Sequence, residues 1–485
     1  MRKRFRRTTL LTIVCLSFLA GLGLARIRVT VDTAFVSLSI VTLIVTVRKI
    51  RGITLVAGLL CGLTIGLWRG VAYMEKLAPY ADLKDRAVII TGIADSDGIY
   101  DGSQLSFDLG HLKSTDPFEK DLVGKMSIRG FGEQAVYKGD KLQVEGKLFL
   151  TRGSRQSSIS FAQLKVLGRS NSLINKTKRN FEAGMQSALP EPQASFGLGI
   201  LIGQRSTLPD DTKKQLSATG LTHIVAVSGY NLTIIVWAVR QLLRKRSKYQ
   251  TTLISLGLIG MFLLFTGLSA SIVRAAIVSG LSLWAWYYGR RINPVLLIVL
   301  AAALTAGWYP IYLWSDIGWY LSFLAFYGVL VLAPLLAKRI YSARKTPKFL
   351  SLLIIETLCA QVMALPLIMY IFGEFSLVAL IANILIVPLV PLAMLLSLLA
   401  GLGGMVLPAF AGWIAWPARL LMTYMLDLIS MLSKIPFALT NTQMSLSTLI
   451  AFYVIVLFIT SILWHKNRGK RDIVSEKNSM FTTGV

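Results

Sequence analysis

The sequence predicts a polytopic α-helical membrane protein of about twelve spans plus a re-entrant segment, carrying an inserted small all-β, OB-like external domain. Three observations carry this reading. First, 54% of the 485 residues are hydrophobic and the mean hydropathy is +0.62. Many apolar runs approach the roughly 20 residues that a helix needs to cross a bilayer. Second, Lys plus Arg number 51 against 24 Asp plus Glu, a net charge of +27. The excess gathers between apolar runs, as it does in cytoplasmic loops, so topology explains most of it. A nucleic-acid partner would use the remainder, although charge alone establishes none. Third, residues 80–170 replace long apolar runs by alternation of period 2 between Gly, Asp and Ser turns.

Taken in order, residues 1–75 are expected to form N-terminal transmembrane helices. Met1–Arg7 is basic and Thr8–Ala25 apolar. Two more spans follow at about 33–47 and 53–72, so an uncleaved signal anchor fits better than a cleaved signal peptide. Arg48, Lys49 and Arg51 separate those spans, placing the N-terminus and that loop in the cytoplasm and residue 73 onward outside.

Residues 80–170 read as short strands at Ala87–Gly92, Leu105–Leu109, Lys125–Arg129, Lys141–Leu150 and Ile159–Leu167. Five strands suit a small barrel, for which an OB-fold is the natural form. Arg129, Lys138, Arg152, Arg155 and Lys165 are candidate phosphate contacts. Phe131, Tyr137, Phe149 and Phe161 interleave with them, a modest base-stacking signal. A purely structural external domain is the competing reading.

Residues 171–193 form an amphipathic linker, basic up to Pro190 and suited to the outer leaflet surface. Residues 194–464 are expected to form the main transmembrane domain. Ala194–Gln204 is too short to span and reads as a re-entrant half helix. Spans follow near 215–240, 250–268, 270–288, 293–309, 317–337, 349–371, 377–400, 411–432 and 446–464. Basic clusters at 240–246, 290–291, 338–348 and 466–471 all fall inside on an alternating path. Both termini, including the basic tail 465–485, are then cytoplasmic.

The stretch Gly199–Arg240 is apolar yet interrupted by Gly220, Thr222, His223, Ser228, Gly229, Tyr230 and Asn231. Lipid-facing helices avoid such a cluster, since each unsatisfied polar group in hydrocarbon costs several kcal/mol. The stretch is expected to line a wet path. His223 and Ser228 make a weak hydrolytic pair, because Val227 precedes and Gly229 follows Ser228, so the Gly-x-Ser-x-Gly nucleophile elbow is absent. Pore lining or helix packing fits better, with Asn231 satisfying freed backbone groups.

Leu221–Gly229 (Leu-Thr-His-Ile-Val-Ala-Val-Ser-Gly) resembles the signature of the ComEC family, inner-membrane DNA channels of natural competence. Ile272-Val-Arg-Ala-Ala-Ile277 and Ser315-Asp-Ile-Gly-Trp-Tyr-Leu-Ser-Phe-Leu-Ala325 resemble its second and third blocks, in the same order. The resemblance covers roughly residues 80 to 464. It implies an external OB-like domain and a channel that passes single-stranded DNA into the cytoplasm during transformation. Where the family commonly has Leu-His after Ser-Gly, this chain has Tyr230-Asn231, so no role passes to that histidine. Many relatives add a C-terminal metallo-β-lactamase-like domain; the resemblance here is to the form lacking it, as no His-x-His-x-Asp motif follows residue 464.

Arg274 stands alone in an apolar segment, where an intramembrane Arg costs roughly 2.5–3.5 kcal/mol and faces a partner or water. Asp316 is its candidate partner; passing phosphate is the alternative, and Asp316 with Ser315 would otherwise cap the helix starting near Ile317. Ser322, Gln361 and Asn383 join the candidate path, and Pro366, Pro388 and Pro391 mark broken helices. Glu356 and Asp427 lie near span ends.

Cys15, Cys61 and Cys359 sit in apolar runs without a CxxC or Cys/His pattern, and His111, His223 and His465 lie far apart. No metal or cofactor is therefore expected, nor a catalytic site, although a nuclease activity in the external domain stays open. No P-loop is present, so a separate ATP-driven cytoplasmic motor and a separate DNA receptor are expected, with a homo-oligomer possible. The alternative function is a secondary transporter of a small anionic solute, which broken helices also suit but which would not need the external domain.

Overall fold

The computed structural model describes residues 7–467 apart from 28, 30–31, 47–51, 102–103, 134, 152, 154, 171, 205–206, 226–228, 268–269, 291–292, 342–348 and 437. Helices α1 (Arg7–Leu24), α2 (Thr33–Thr46), α3 (Gly52–Leu77) and α4 (Pro79–Leu83) lead into seven strands. These are β1 (Ala87–Ala94), β2 (Ile99–Asp101), β3 (Gln104–Asp116), β4 (Lys120–Leu122), β5 (Met126–Phe131), β6 (Lys141–Leu150) and β7 (Ser157–Gly168). Helices α5 (Leu173–Ala188), α6 (Gln193–Ile202), α7 (Asp210–Ala218), α8 (Gly229–Leu242), α9 (Lys248–Thr266), α10 (Ala270–Tyr287), α11 (Pro294–Trp308) and α12 (Ile311–Ser315) follow. Then come α13 (Ile317–Tyr327), α14 (Ala333–Ile340), α15 (Phe349–Phe372), β8 (Glu374–Ser376), α16 (Ala379–Ile386), α17 (Val390–Val406), α18 (Ala411–Ser433), β9 (Leu439–Asn441) and α19 (Leu446–Asn467).

Among the described residues, seven helical stretches are long and apolar enough to cross a membrane: Arg7–Ile27, Gly52–Leu83, Lys248–Thr266, Ile317–Ile340, Ser351–Phe372, Ala379–Val406 and Leu446–Asn467. This is a helical membrane protein with a separate small β domain. One expected span is corrected. Residues 215–240 are not one helix: α7 ends at Ala218, Gly220 takes φ +68, and α8 starts only at Gly229. Average hydropathy over that window hid a left-handed turn that a continuous helix cannot contain.

The chain divides into two bodies, Met1–Thr177 with Val299–Ile317, and Lys178–Ile298 with Gly318–Val485. In the first, α1 and α3 pack backbone to backbone. Gly58, Gly62, Gly66 and Gly70 recur every fourth residue of α3. A Cβ on Gly62 would collide with Ser17 and Val14, and one on Gly66 with Phe18 O. This is small-residue packing, which gains contact where lipid offers no hydrophobic drive. Farther along α3, Arg69 donates to Gly307 O at 2.9 Å and to Trp308 O at 3.0 Å. Tyr73 meets Tyr309 and Trp314 edge-on, with ring centroids 5.6 and 5.8 Å away. Those contacts bring residues 299–317 into the first body.

The β domain forms because its apolar residues alternate. β1 pairs with β6, β6 with β7, β7 with β5, β5 with β3, and β3 with β1, so five strands close a ring. The β5–β7 pair is parallel and the other ring pairings are antiparallel. Inward residues Val88, Ile90, Leu109, Met126, Ile128, Leu142, Val144, Leu148 and Ile159 are at most 1% exposed. Tyr80 and Leu83 of α4 join that core. Each fully buried side chain of this size contributes about 1.5–3 kcal/mol. The ring strands fall where alternation placed them; the three-residue β2 and β4 are too short to show a period.

In the second body, α5 lays Phe181, Gly184, Met185 and Ala188 inward. Gly184 abuts the backbone of α17 at Gly401 and Gly404. The expected surface linker thus contributes a buried face from residue 181 onward. Helix α6 sits in the same core, with Ala194–Leu201 all buried. A π-helical turn, Gly328–Leu332, joins α13 to α14. A 3₁₀ turn, Val387–Leu389, breaks α16 from α17 where Pro388 and Pro391 were expected to, whereas Pro366, also expected to mark a broken helix, lies inside the continuous α15.

Candidate functional site

The region around the signature is built on α6. Ten residues rise only about 15 Å, half of a hydrocarbon core. The helix stops at Gly203, whose φ of +76 closes a left-handed cap with its N–H on Gly199 O at 3.0 Å. Its remaining end carbonyls need other donors. Asn231, 2% exposed on the first turn of α8, supplies one: Nδ2 donates to Ile200 O at 2.8 Å. Ser195 Oγ donates to Thr207 O at 2.9 Å, folding the following loop back on the helix. Gln193 Nε2 donates to Thr423 Oγ1 at 3.0 Å.

This seam is polar and incompletely paired. Gln193 Oε1, Gln204 Oε1, Thr207 Oγ1 and Ser397 Oγ are buried without a hydrogen-bond partner among the described residues. Buried polar atoms are nearly always satisfied, by protein or by ordered water. Four of them around one half helix mark a place that accommodates water or a polar solute. Gln193, Gln204, Thr207 and Ser397 were not among the candidate site residues of the sequence. An isolated polar residue in an apolar run gives little signal until the fold gathers several.

The other candidates take different positions. His223 is exposed, with Nδ1 3.1 Å from Gly220 O. Gly220 packs on Ala379 at the start of α16. Gly229 and Tyr230 open α8; Ser228 lies outside the described residues. Asn383 is buried, and its Nδ2 donates to Ala379 O of its own helix at 2.8 Å. Gln361 is half-buried on α15. Asp316 ends α12 in the first body, its N–H 3.4 Å from Tyr312 O.

The second and third blocks meet in the second body. Ser271 Oγ and Ser322 Oγ lie 3.5 Å apart, joining α10 to α13. Arg274 Nη2 donates to Ser271 Oγ at 3.3 Å. The guanidinium also lies 5.3 Å from the Phe323 ring centroid and 5.0 Å from that of Phe326. Of the sequence candidates, Arg274 and Ser322 are therefore brought together. The two phenylalanines were not singled out, because aromatic residues in a membrane helix are ordinary in sequence.

On the β domain the basic candidates that the structure describes have different settings. Arg129 on β5 and Lys165 on β7 are exposed on the outer face. Arg155 grips Asp108, Nε to Oδ1 at 2.7 Å and Nη2 to Oδ2 at 2.9 Å, so its charge is answered locally. Lys138 occupies a turn, its N–H donating to Asp97 Oδ1 at 2.9 Å. Arg152 lies outside the described residues. Beside Arg129, the rings of Phe131 and Phe161 are 6.3 Å apart. Phe161 is 74% exposed at φ +58, a conformation that non-glycine residues rarely adopt. The sequence reading also missed Asp140. This carboxylate is 1% exposed and accepts from Arg169 Nη1 at 2.7 Å, Ser170 N at 2.9 Å and Tyr137 N at 3.1 Å.

Fold and site together define a helical membrane protein with broken helices, a polar seam around α6 and a separate β domain. The chain belongs to the Competence protein family, which matches residues 200–467, more than half of its length; this is the ComEC family whose blocks the sequence resembles. It is similar to ComE operon protein 3 of Bacillus subtilis (strain 168), 26% identical over 195 residues. That alignment covers 40% of this chain and 24% of the relative, so the chain matches about a quarter of the relative's length. No solved structure matches the chain.

Proposed function

We propose that the protein is a channel that passes single-stranded DNA across the cytoplasmic membrane into the cell during natural transformation. The observation that carries this reading is the half helix α6, buried in the body that holds most of the family match and flanked by polar atoms without a hydrogen-bond partner among the described residues. A conducting path through hydrocarbon needs irregular backbone with its polar groups turned inward, and weak repeated contacts along it. Membership of the competence family supports DNA as the cargo.

The β domain would face outward as an OB-like barrel and receive the strand. The closed five-strand ring with its one parallel pair supports that form, as does the outer face carrying Arg129, Lys165 and exposed phenylalanines. Both termini would be cytoplasmic, with the basic segments at 240–246, 338–339 and 466 on the same side. A separate receptor and an ATP-driven motor would act with it.

The test is uptake of fluorescent DNA into a nuclease-protected state. Cells lacking the protein should accumulate none, and the wild-type chain should restore it. Normal uptake without the protein would overturn the proposal.

A further inference from the structure

Resting on the channel reading, we infer that Arg274 is a phosphodiester-binding group at membrane depth, walled by Phe323 and Phe326. Arg274 is 3% exposed. A guanidinium carries five N–H donors and cannot shed its charge by losing a proton. Here Nη2 reaches Ser271 Oγ, while Nε and Nη1 have no hydrogen-bond partner among the described residues. A serine hydroxyl does not neutralise a cation. A buried charge left in that state is strongly destabilising unless an anion or solvent reaches it.

The geometry selects the anion. Arginine is the side chain whose planar donor array matches phosphate oxygens, and its flat face lies against rings. Two phenylalanines stand one helical turn apart on α13, both within 5.3 Å of the guanidinium carbon by their centroids. Single strands are held by this pairing of cation for backbone and ring for base. A small inorganic anion would use the arginine and leave the rings idle. Directly after Phe326 and Tyr327 the helix takes its π-helical turn, Gly328–Leu332. Such turns recur at functional sites in helices. Gly328 there lies against the Cys359 backbone, with no room for a Cβ.

The experiment uses the full chain in lipid nanodiscs and an oligothymidylate carrying 5-iododeoxyuridine, which photocrosslinks to nearby aromatic rings. Crosslinks are mapped by peptide mass spectrometry. In the wild type, the peptide holding Phe323 and Phe326 should be labelled. Arg274→Gln should reduce that labelling roughly tenfold or more, since hydrogen bonds to charged groups are worth about 1.5–3 kcal/mol. Labelling on β-domain peptides should not change. The log–log salt slope at the α13 peptide should shrink by about 0.7, the loss of one phosphate contact to a single strand. A merely structural arginine would not move that slope. An oligonucleotide with an uncharged methylphosphonate backbone should label wild type and variant alike. If Arg274→Gln fails to accumulate, Arg274→Lys decides: labelling reduced several-fold is expected, because ammonium binds phosphate as a point charge. Undiminished labelling in either variant overturns the site. So does labelling of other channel peptides but never this one, and in that case the channel reading stands. Absence of any crosslink to wild-type protein would overturn the channel reading with it.

Discussion

Replacing Asn231 by Leu should loosen the half helix α6 while leaving the protein in the membrane. Leucine keeps the branched shape and the number of side-chain heavy atoms and removes the donor. Ile200 is among the last four residues of α6, so its carbonyl has no partner within the helix. Asn231 Nδ2, at 2.8 Å and 2% exposed, is what satisfies it. A buried acceptor left unpaired costs about 1–3 kcal/mol. That corresponds to roughly a 5- to 150-fold rise in local opening. Hydrogen–deuterium exchange of the full chain in nanodiscs reads this directly: protection across residues 193–209 should drop by that factor, while the β domain exchanges as before. Asn231→Asp should be worse, because it sets a carboxylate against a carbonyl. Exchange within twofold of wild type for Asn231→Leu would refute the assignment, and the same exchange for Asp would remove the hydrogen bond from consideration altogether.

Asp140→Ala should destabilise the β domain by about 3 kcal/mol, since it strands two backbone N–H groups and a guanidinium that now share one buried carboxylate; urea unfolding followed by proteolysis of residues 87–168 measures it. Lys113 and Glu119 lie 2.5 Å apart, and each shifts the other: Glu119 titrates below the usual carboxylate range and Lys113 above the usual ammonium range. Their contribution should be present at neutral pH, fade as pH falls through the depressed Glu119 value and as it rises through the elevated Lys113 value, and weaken with salt. A pH series comparing wild type with Glu119→Gln checks this; a difference that persists at pH 2 would contradict it. A cysteine placed at exposed Lys120 should react with an impermeant maleimide added to intact cells, and one at exposed Lys245 should not. The native thiols of Cys15, Cys61 and Cys359 are buried and should add little background; the reverse pattern would invert the proposed topology.

What the sequence disclosed follows from the range of each interaction. The ring strands were legible because burial on one face of a strand imposes a period of two on neighbouring residues. The long apolar helices were legible from length alone. The break at Gly220 was half legible: the polar residues were noticed, but a window average ran a helix through them. The meeting of Arg274 and Ser271 with Ser322, Phe323 and Phe326 was illegible, because Ser271 and Ser322 lie 51 positions apart in the chain and no local pattern encodes which faces touch. The same holds for the polar atoms around α6. Phe161 at φ +58 was hidden for a different reason, since a phenylalanine in a strand-like run gives no sign that its backbone is left-handed.

Ring closure in the β domain restricts how anything can hold on to it. An open sheet recruits extended segments by offering a row of free backbone groups along its edge, and many peptide-binding domains work in this way. Here each of the five ring strands pairs with a neighbouring strand on both sides over much of its length, and the three-residue β2 and β4 pair on one side only among the described residues. A passing chain therefore finds little backbone to zip onto. It must be held by side chains, whose grip is local and quickly released. If the domain receives a strand as proposed, such a surface would let that strand slide where a sheet edge would trap it.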